Sequence, residues 1–174
     1  QTIPANRPKP PPESRVPEGP VVQETAGKVA PIRTFQDLLD SPHDEELFDY
    51  YATAQLMLIN AKSGEAKPLG SPGIYGTADP SPDGQFVLAS RILRPYSYQL
   101  PASMFPRSVE VLGLDGKVAF HLANLPLAEE VPIGGVRPGP RSYQWRPTSP
   151  AMLAWVEALD GGDPRKRFPI ATAS

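Results

Sequence analysis

The chain has 174 residues, enough for one domain of ordinary size, but 24 of them are proline and only 40 per cent are hydrophobic. A formal net charge of −2 provides no long-range positive field for nucleic acid, and no run of about 18 apolar residues is present to span a membrane. The absence of cysteine excludes a disulfide framework, a thiolate metal site and a cysteine nucleophile.

Proline is concentrated in the N-terminal segment, residues 1–33. The segment has no amphipathic period and little apolar surface to bury. It is therefore predicted to be an extended or disordered arm that serves as a tether or wraps around the fold. The P-x-x-P spacing from Pro8 to Pro11 leaves open a ligand for an aromatic groove. Because the first residue is Gln and not Met, we expect a removed signal peptide or an artificial boundary, and a periplasmic or secreted protein.

Two short helical patterns form a lead-in over residues 34–52. The first, 34–40, begins with the N-cap residue type Thr34 and repeats apolar residues at helical spacing. The second follows Ser41, which is also an N-cap type, and has Pro42 at its first position and acidic residues in its first turn. The sequence therefore predicts two helical segments before the sheet.

Beyond Tyr51 the apolar pattern changes, and strands are predicted over 56–60, 66–69, 73–79 and 86–93. A tight turn precedes the last of them. Pro82 presets φ at its first central position, Asp83 can bond its own backbone and Gly84 accepts a positive φ. Four strands in about forty residues have the size of one propeller blade.

The unit of turn and strand recurs twice downstream, in residues 108–122 and 143–157. Two recurrences correspond to about two to two and a half four-stranded blades, whereas closed propellers have about 4–8. We therefore predict an all-β fold, a partial β-propeller over residues 53–169. Open ends of such an array expose strand edges, so we expect the remaining propeller blades to be supplied elsewhere.

Three segments resemble the N-terminal propeller region of glutamyl-specific peptidases of the prolyl oligopeptidase family. They are Arg-Pro-Tyr-Ser-Tyr-Gln-Leu-Pro at 94–101 with Met-Phe-Pro at 104–106, Gly-Pro-Arg-Ser-Tyr-Gln-Trp-Arg at 139–146, and Trp-Val-Glu-Ala-Leu-Asp-Gly-Gly-Asp-Pro at 155–164. The resemblance covers about residues 34–164. It implies a secreted or periplasmic serine peptidase, in plants a plastid one, that cleaves after glutamate and has a seven-bladed propeller over an α/β-hydrolase domain.

In that family the Ser nucleophile lies on a G-x-S-x-G elbow and is followed by Asp and His. This sequence contains no G-x-S-x-G, so we expect no catalytic residue in it and no activity of the chain alone. The tail, 170–174, departs from the polar run with which the family continues. We therefore expect a chain truncated before the catalytic domain.

The loop after residues 86–93 is long for a blade connection, and long loops often serve a site. Its candidates for substrate binding are Arg94, Tyr96 and Tyr98, and Arg107 and Arg141 are further candidates that would act with Arg94. A guanidinium suits an acidic substrate side chain because its fork meets a carboxylate bidentately. The alternative is that Arg94 stacks on Tyr96 or Tyr98 and braces the loop.

Arg141, Tyr143 and Trp145 alternate, so they face one side of a predicted strand. Trp145 is expected to pack between blades, with a binding role as the alternative, and Trp155 lies in an apolar strand and is expected in the core. Asp83 and the other loop carboxylates do not converge, so we expect no metal and no cofactor.

These observations predict a noncatalytic propeller segment that controls access of peptide substrates to an α/β-hydrolase domain. Its expected partners are the peptide, bound through that domain, and the remaining blades, with no nucleic acid and no membrane. The alternative is a small β-rich interaction protein whose exposed strand edges recruit another chain by strand addition. An independent enzyme would need a nucleophile and base at recognisable spacing, which the sequence lacks.

Overall fold

The computed structural model describes residues 1–13 and 34–166. This part of the chain is mostly antiparallel β-sheet, which confirms the all-β class, and its strands form two sheets and not a closed ring. The elements are α1 (Pro42–Ala52), β1 (Ala54–Ile59), β2 (Ala66–Pro80), β3 (Phe86–Ile92), a 3-10 turn (Ala102–Met104), β4 (Arg107–Gly113), β5 (Val118–Leu125), β6 (Arg141–Trp145) and β7 (Leu153–Val156). The predicted tail, 170–174, and residues 14–33 of the predicted arm lie outside the described residues.

Residues 1–13 contain no helix or strand, and Thr2 and Arg7 contact the end of α1 and the start of β1. Thr2 and Gln55 exchange backbone hydrogen bonds of 2.9 and 2.8 Å, so the arm pairs with the edge of β1. The Arg7 guanidinium donates to the carbonyl of Thr53 and lies 4.9 Å from the centre of the Tyr50 ring. This first stretch of the arm therefore wraps onto the start of the sheet.

Helix α1 begins where the sequence predicts. Ser41 is its N-cap, and the Ser41 Oγ accepts a hydrogen bond of 3.2 Å from the backbone N–H of Asp44. The helix predicted over 34–40 is wrong, because this segment is irregular and Asp37 has a φ of 55°. A seven-residue helix gains few backbone hydrogen bonds for its nucleation cost, and Leu39 instead packs against the cluster around Phe105.

Strands β1 to β5 form one sheet in chain order. The sequence predicts two strands in the region of β2, with a break near Gly70, but the structure has one strand of 15 residues. Its first half pairs with β1 and its second half pairs with β3, so the chain changes partner without ending the strand. The second half of β2 with β3, β4 and β5 makes a four-stranded meander.

The turn between β2 and β3 has a backbone hydrogen bond of 2.9 Å from the Gly84 N–H to the Ser81 carbonyl. Gly84 has a φ of 68°, which glycine adopts without a steric penalty. The Asp83 carboxylate accepts from the Ser81 hydroxyl at 2.6 Å and from the backbone N–H of Gln85 at 3.0 Å. The turn therefore carries its own hydrogen-bond network and reverses the chain into the buried strand β3.

Alternation along β3 places side chains on both faces of the meander. Val87 and Ala89 pack with Leu56, Leu69 and Leu112 on the face beside β1. On the other face, a second cluster joins the meander to the β6–β7 hairpin; its buried members are Leu88, Val109, Val111 and Trp145. The hairpin is therefore packed on the meander through the Trp145 ring.

The two tryptophans of the hairpin have different environments. Trp145 is 8 per cent exposed, and its indole N–H donates to the Asp79 carbonyl at 2.9 Å. Trp155, expected in the core, is 47 per cent exposed; its indole N–H donates to the Glu157 carboxylate at 2.9 Å. Both rings lie on the same face of the hairpin, but Trp145 packs with Leu88, Val109 and Val111 of the meander, whereas Trp155 lies at an open groove beside Phe120 and Met152.

Candidate functional site

Arg94 and Tyr96, both predicted to bind substrate, are held by two carboxylates of α1. Arg94 Nε and Nη2 donate to Asp49 Oδ2 at 3.1 and 2.6 Å, and Arg94 Nη1 donates to Glu45. The Tyr96 hydroxyl donates to the second oxygen of Asp49, and the Arg94 guanidinium lies 4.6 Å from the centre of the Tyr96 ring. This is the geometry of the alternative in which Arg94 stacks on Tyr96 and braces the loop.

The same contacts change how readily these groups ionise. Hydrogen bonding to Asp49 raises the pKa of Arg94, and burial together with the Asp49 carboxylate raises the pKa of Tyr96. Phe105 stacks on the Tyr96 ring at 5.0 Å, and Phe48 of α1 packs edge-on against both rings at 5.1 and 5.8 Å. The loop and α1 are thus one packed unit, and a substrate carboxylate would compete with the carboxylates of α1 for Arg94.

Tyr98 lies in the same loop and is half-buried. Its substrate role, like those of Arg94 and Tyr96, stays a prediction.

Arg107 and Arg141, the other two predicted residues, lie together at a cavity of about 330 Å³ beside the meander. Arg107 begins β4, Arg141 begins β6, and the segment before β6 contributes Arg137. The sequence reasoning missed Arg137, although its position four residues before Arg141 in a glycine- and proline-rich connection was a visible signal. The remaining lining residues are Thr77, Leu88, Ser90, Ser103, Val109, Leu125, Ser142 and Tyr143.

A local irregularity shapes the β6 side of the cavity. Ser142 has a φ of 53°, which is uncommon for a residue other than glycine, asparagine or aspartate. The pairing of β6 with β7 shifts register between Arg141 and Gln144, as in a β-bulge. Bulges change the direction of the side chains beside them, and here both Arg141 and Tyr143 line the cavity.

Three buried polar groups of cavity-lining residues have no hydrogen-bond partner within the part of the chain that the structure describes. They are Arg107 Nε, Arg141 Nη1 and the Tyr143 hydroxyl. Arg107 does use its Nη2, which donates to the Ser103 carbonyl at 3.1 Å, and Arg137 Nη2 donates to the Phe105 carbonyl at 3.0 Å. An unpartnered buried donor costs about 1–3 kcal/mol, so these groups carry a desolvation cost within the fold.

The described residues place no opposite charge in the lining of the cavity. Burial lowers the pKa of Arg107, and burial together with the positive charge of Arg107 lowers the pKa of Arg137. Within 1–13 and 34–166, no Asp or Glu lines the cavity. Burial, followed by the charge of Glu157, raises the pKa of Tyr143, so this hydroxyl stays protonated and able to donate. The arrangement can hold an anion by charge-assisted hydrogen bonds.

Two curated proteins match most of the chain. A rice protein (Oryza sativa subsp. japonica) named probable glutamyl endopeptidase, chloroplastic, is 50 per cent identical over 165 residues. An Arabidopsis thaliana protein of the same name is 46 per cent identical over 165 residues. These relatives are named glutamyl endopeptidases, as the sequence resemblance predicts. Each match covers 93 per cent of this chain but only 18 per cent of the rice protein and 17 per cent of the Arabidopsis protein.

The similarity supports a link to a peptidase, and both relatives are named as chloroplastic proteins. The prolyl oligopeptidase family, the propeller, the truncation and the periplasmic or secreted location go beyond those names and stay predictions. No protein-family model matches the chain, and no solved structure matches it.

In the described part of the chain, no helix is long and apolar enough to cross a membrane. No cluster of three or more His, Asp or Glu side chains that would hold a metal ion occurs among the same residues.

Proposed function

We propose that the chain is a noncatalytic β-sheet segment of a serine-type glutamyl endopeptidase of the prolyl oligopeptidase family. The observation that carries the proposal is the identity of 46 to 50 per cent, over 93 per cent of this chain, to two proteins of that name. Because the chain spans less than a fifth of either relative, the activity of the whole protein is part of the proposal.

In this proposal the meander of β2 to β5 is one blade of a propeller, and the β6–β7 hairpin begins the next. The meander has the four antiparallel strands of a blade, and the hairpin packs on it through Trp145. An open groove of about 590 Å³ beside Phe120, Met152 and Trp155 would be covered by further strands. Such coverage explains an apolar surface that a finished protein rarely exposes.

The blades would narrow the path to an α/β-hydrolase domain, so that extended peptides reach the nucleophile and folded proteins do not. The Ser, Asp and His of that domain would perform the chemistry, since this sequence has no G-x-S-x-G motif. We propose an exported protein, periplasmic or secreted. The organellar names of the relatives are consistent with a targeted location.

The proposal is tested by assaying the purified chain on a fluorogenic peptide with one glutamate, alone and with the rice relative from which the matched segment has been deleted. We expect no hydrolysis by the chain alone, weak hydrolysis by the deleted protein and increased hydrolysis by the mixture. A peptide with glutamine in place of glutamate is the control for specificity. Hydrolysis by the chain alone would overturn the proposal. A mixture no more active than the deleted protein would contradict the proposal that the chain serves as a segment of the peptidase.

A second candidate function is an interaction module that recruits another chain at β5. The observation that favours it is the position of β5 at the end of the strand order, with Val118 and Phe120 exposed by 52 and 62 per cent. An exposed edge strand offers backbone groups for pairing with a further strand. Under this alternative the mixture shows no gain in hydrolysis, whereas Val118→Lys weakens capture of an extended peptide by the chain.

A further inference from the structure

The N-terminal arm contacts the fold at two points, the edge of β1 and the end of α1. Thr2 pairs with Gln55, and Arg7 donates to Thr53. We propose that these two points form a recognition site for an extended segment that carries an arginine, and that residues 1–7 are its exchangeable ligand. A separate peptide of the same pattern binds the site when the arm leaves it. The proposal concerns the arm and the start of the sheet, so it does not depend on the peptidase role.

Thr2 supplies the backbone part of the contact. Its N–H donates to the Gln55 carbonyl at 2.9 Å, and its carbonyl accepts from the Gln55 N–H at 2.8 Å, a reciprocal pair typical of antiparallel strands. The side-chain amide of Gln55 donates to the carbonyls of Leu69 and Gly70 in β2 at 3.2 and 3.1 Å. Because β2 holds Gln55 in place, its backbone groups are preorganised to pair with an extended segment.

Arg7 supplies the charged part of the contact. Its Nη2 donates to the Thr53 carbonyl, and its guanidinium carbon lies 4.9 Å from the centre of the Tyr50 ring. Thr53 is the C-cap of α1, where the helix dipole concentrates negative charge, and the last turn of α1 has no basic residue of its own. A guanidinium can donate to a carbonyl while its flat face lies over an aromatic ring, and an ammonium has no such face. The site therefore favours arginine.

Few contacts hold the arm, so it can leave the site. Ile3 lies between the two contact points and is 70 per cent exposed, and residues 8–13 are mostly exposed. Residues 14–33 connect the arm to the fold, so a released arm stays near the site at an effective concentration of about millimolar. The pattern that the site recognises is short: a residue whose backbone pairs with Gln55, followed five positions later by an arginine.

NMR titration of the isotope-labelled 174-residue chain with a synthetic peptide of residues 1–13 tests the proposal. The signals followed are the backbone amides of Gln55 and Tyr50. The unsubstituted chain is compared with the Arg7→Ala chain, whose own arm lacks the guanidinium. We expect the peptide to bind the Arg7→Ala chain at least about tenfold more tightly, because the intact arm competes for the site. Equal affinities for the two chains, or no shift of the Gln55 amide in either, would overturn the proposal.

Peptide variants then show which side chain is recognised. An Arg7→Ala peptide keeps the backbone pairing but has no guanidinium, and we expect it to bind the Arg7→Ala chain at least about tenfold more weakly than the unsubstituted peptide. A Lys9→Ala peptide is the matched control, because it removes the same charge from an exposed side chain. We expect this control to bind like the unsubstituted peptide. Equal weakening by both substitutions would indicate general attraction to the acidic helix α1, and the assignment to Arg7 would then be wrong.

A Thr2→Pro chain provides a second test that leaves Arg7 in place. Proline has no N–H to donate to the Gln55 carbonyl, so we expect faster hydrogen exchange of the Gln55 amide and tighter binding of the peptide than in the unsubstituted chain. Circular dichroism of every chain accompanies the titrations, and an unchanged β-sheet spectrum is expected because residues 1–13 add no strand to either sheet. If Arg7→Ala loses that spectrum, the Thr2→Pro chain takes its place in the titrations. A Gln55 amide that exchanges equally fast with and without Thr2 would contradict the pairing of the arm with β1.

Discussion

The Asp83 side chain stabilises the turn between β2 and β3 by hydrogen bonds. Its Oδ1 accepts from the Ser81 hydroxyl and from the backbone N–H of Gln85, and these two hydrogen bonds, in that order of effect, lower the pKa of Asp83. A carboxyl group whose pKa is lowered by folding stabilises the folded state above its unfolded pKa, which is about 3.9. That contribution is lost as the pH falls through the folded pKa, so the turn weakens in acid below about pH 4.

We expect Ser81→Ala to raise the pKa of Asp83 toward the ordinary value, because the larger of the two lowering hydrogen bonds is removed. NMR titration of the Asp83 carboxyl carbon measures this directly. Gln85→Ala is the control, since it keeps the backbone N–H and should leave the pKa unchanged. If Asp83 of the unsubstituted chain already titrates at the ordinary value, the network described for the turn is wrong.

The two tryptophans provide a second residue-scale prediction. Trp145→Phe removes the hydrogen bond to the Asp79 carbonyl and part of a ring that is 8 per cent exposed, so we expect the free energy of unfolding to fall by about 1–3 kcal/mol. Trp155→Phe, at a ring that is 47 per cent exposed, should change it by no more than about 0.5 kcal/mol. Urea unfolding followed by circular dichroism measures both, and equal losses would contradict the packing of the hairpin on the meander.

At the scale of elements, the turn between β4 and β5 lies against β2 at Gly70, where the φ of β2 is 66°. A Cβ added at Gly116, whose φ is +80°, would lie 2.5 Å from the backbone nitrogen of Gly70. Real Cβ atoms do not approach backbone so closely, hence Gly116→Ala must separate the two segments. The contact couples the β4–β5 hairpin to the part of β2 that pairs with β1.

We expect Gly116→Ala to destabilise the fold by more than about 2 kcal/mol, from a left-handed backbone and a backbone clash together. Gly64→Ala is the matched control, because Gly64 has a φ of +73° but open space within 4 Å of its added Cβ. The control should lose about 1 kcal/mol, the cost of the left-handed conformation alone. Denaturant unfolding of both variants measures the difference, and similar losses would show that the turn and β2 are not in contact.

The start of α1 and the strands were predictable from the sequence because each depends on local features. Ser41 and Pro42 specify a helix start by capping and by φ, and the alternation of β3 specifies a strand with two buried faces. The single long β2 was not predictable, since the glycines and proline at 70–73 are typical of a break. Pairing with β1 on one side and β3 on the other keeps this segment extended, and that pairing is a long-range effect.

The candidate site was predictable in part. Arg107 and Arg141 could be chosen from the sequence because each lies where a loop meets a predicted strand. Arg137 lies in a connecting segment that has no helical or strand periodicity of apolar residues, so nothing in the apolar pattern singles it out. The φ of 53° at Ser142 follows from tertiary packing, as serine has little preference for the left-handed region. The exposure of Trp155 could not be predicted from the sequence either, because an apolar strand has the same residue pattern whether or not another element covers it.

At the scale of the whole molecule, the described residues leave an apolar groove open between the meander and the hairpin. Phe120 and Met152, exposed by 62 and 49 per cent, belong to its lining. Surfaces of this kind are typical of sites that another protein element covers. The relatives are more than five times as long as the matched segment, so a longer protein of their kind has chain enough to cover it.

The central claim is that this chain serves as a segment of a glutamyl endopeptidase. It is tested most directly by replacing the matched segment of the rice relative with this chain and measuring kcat/KM on the glutamate peptide and its glutamine counterpart. We predict that the chimaera cleaves the glutamate peptide with kcat/KM within about tenfold of the rice protein and does not cleave the glutamine peptide. A chimaera that melts cooperatively but leaves the glutamate peptide intact would contradict the claim.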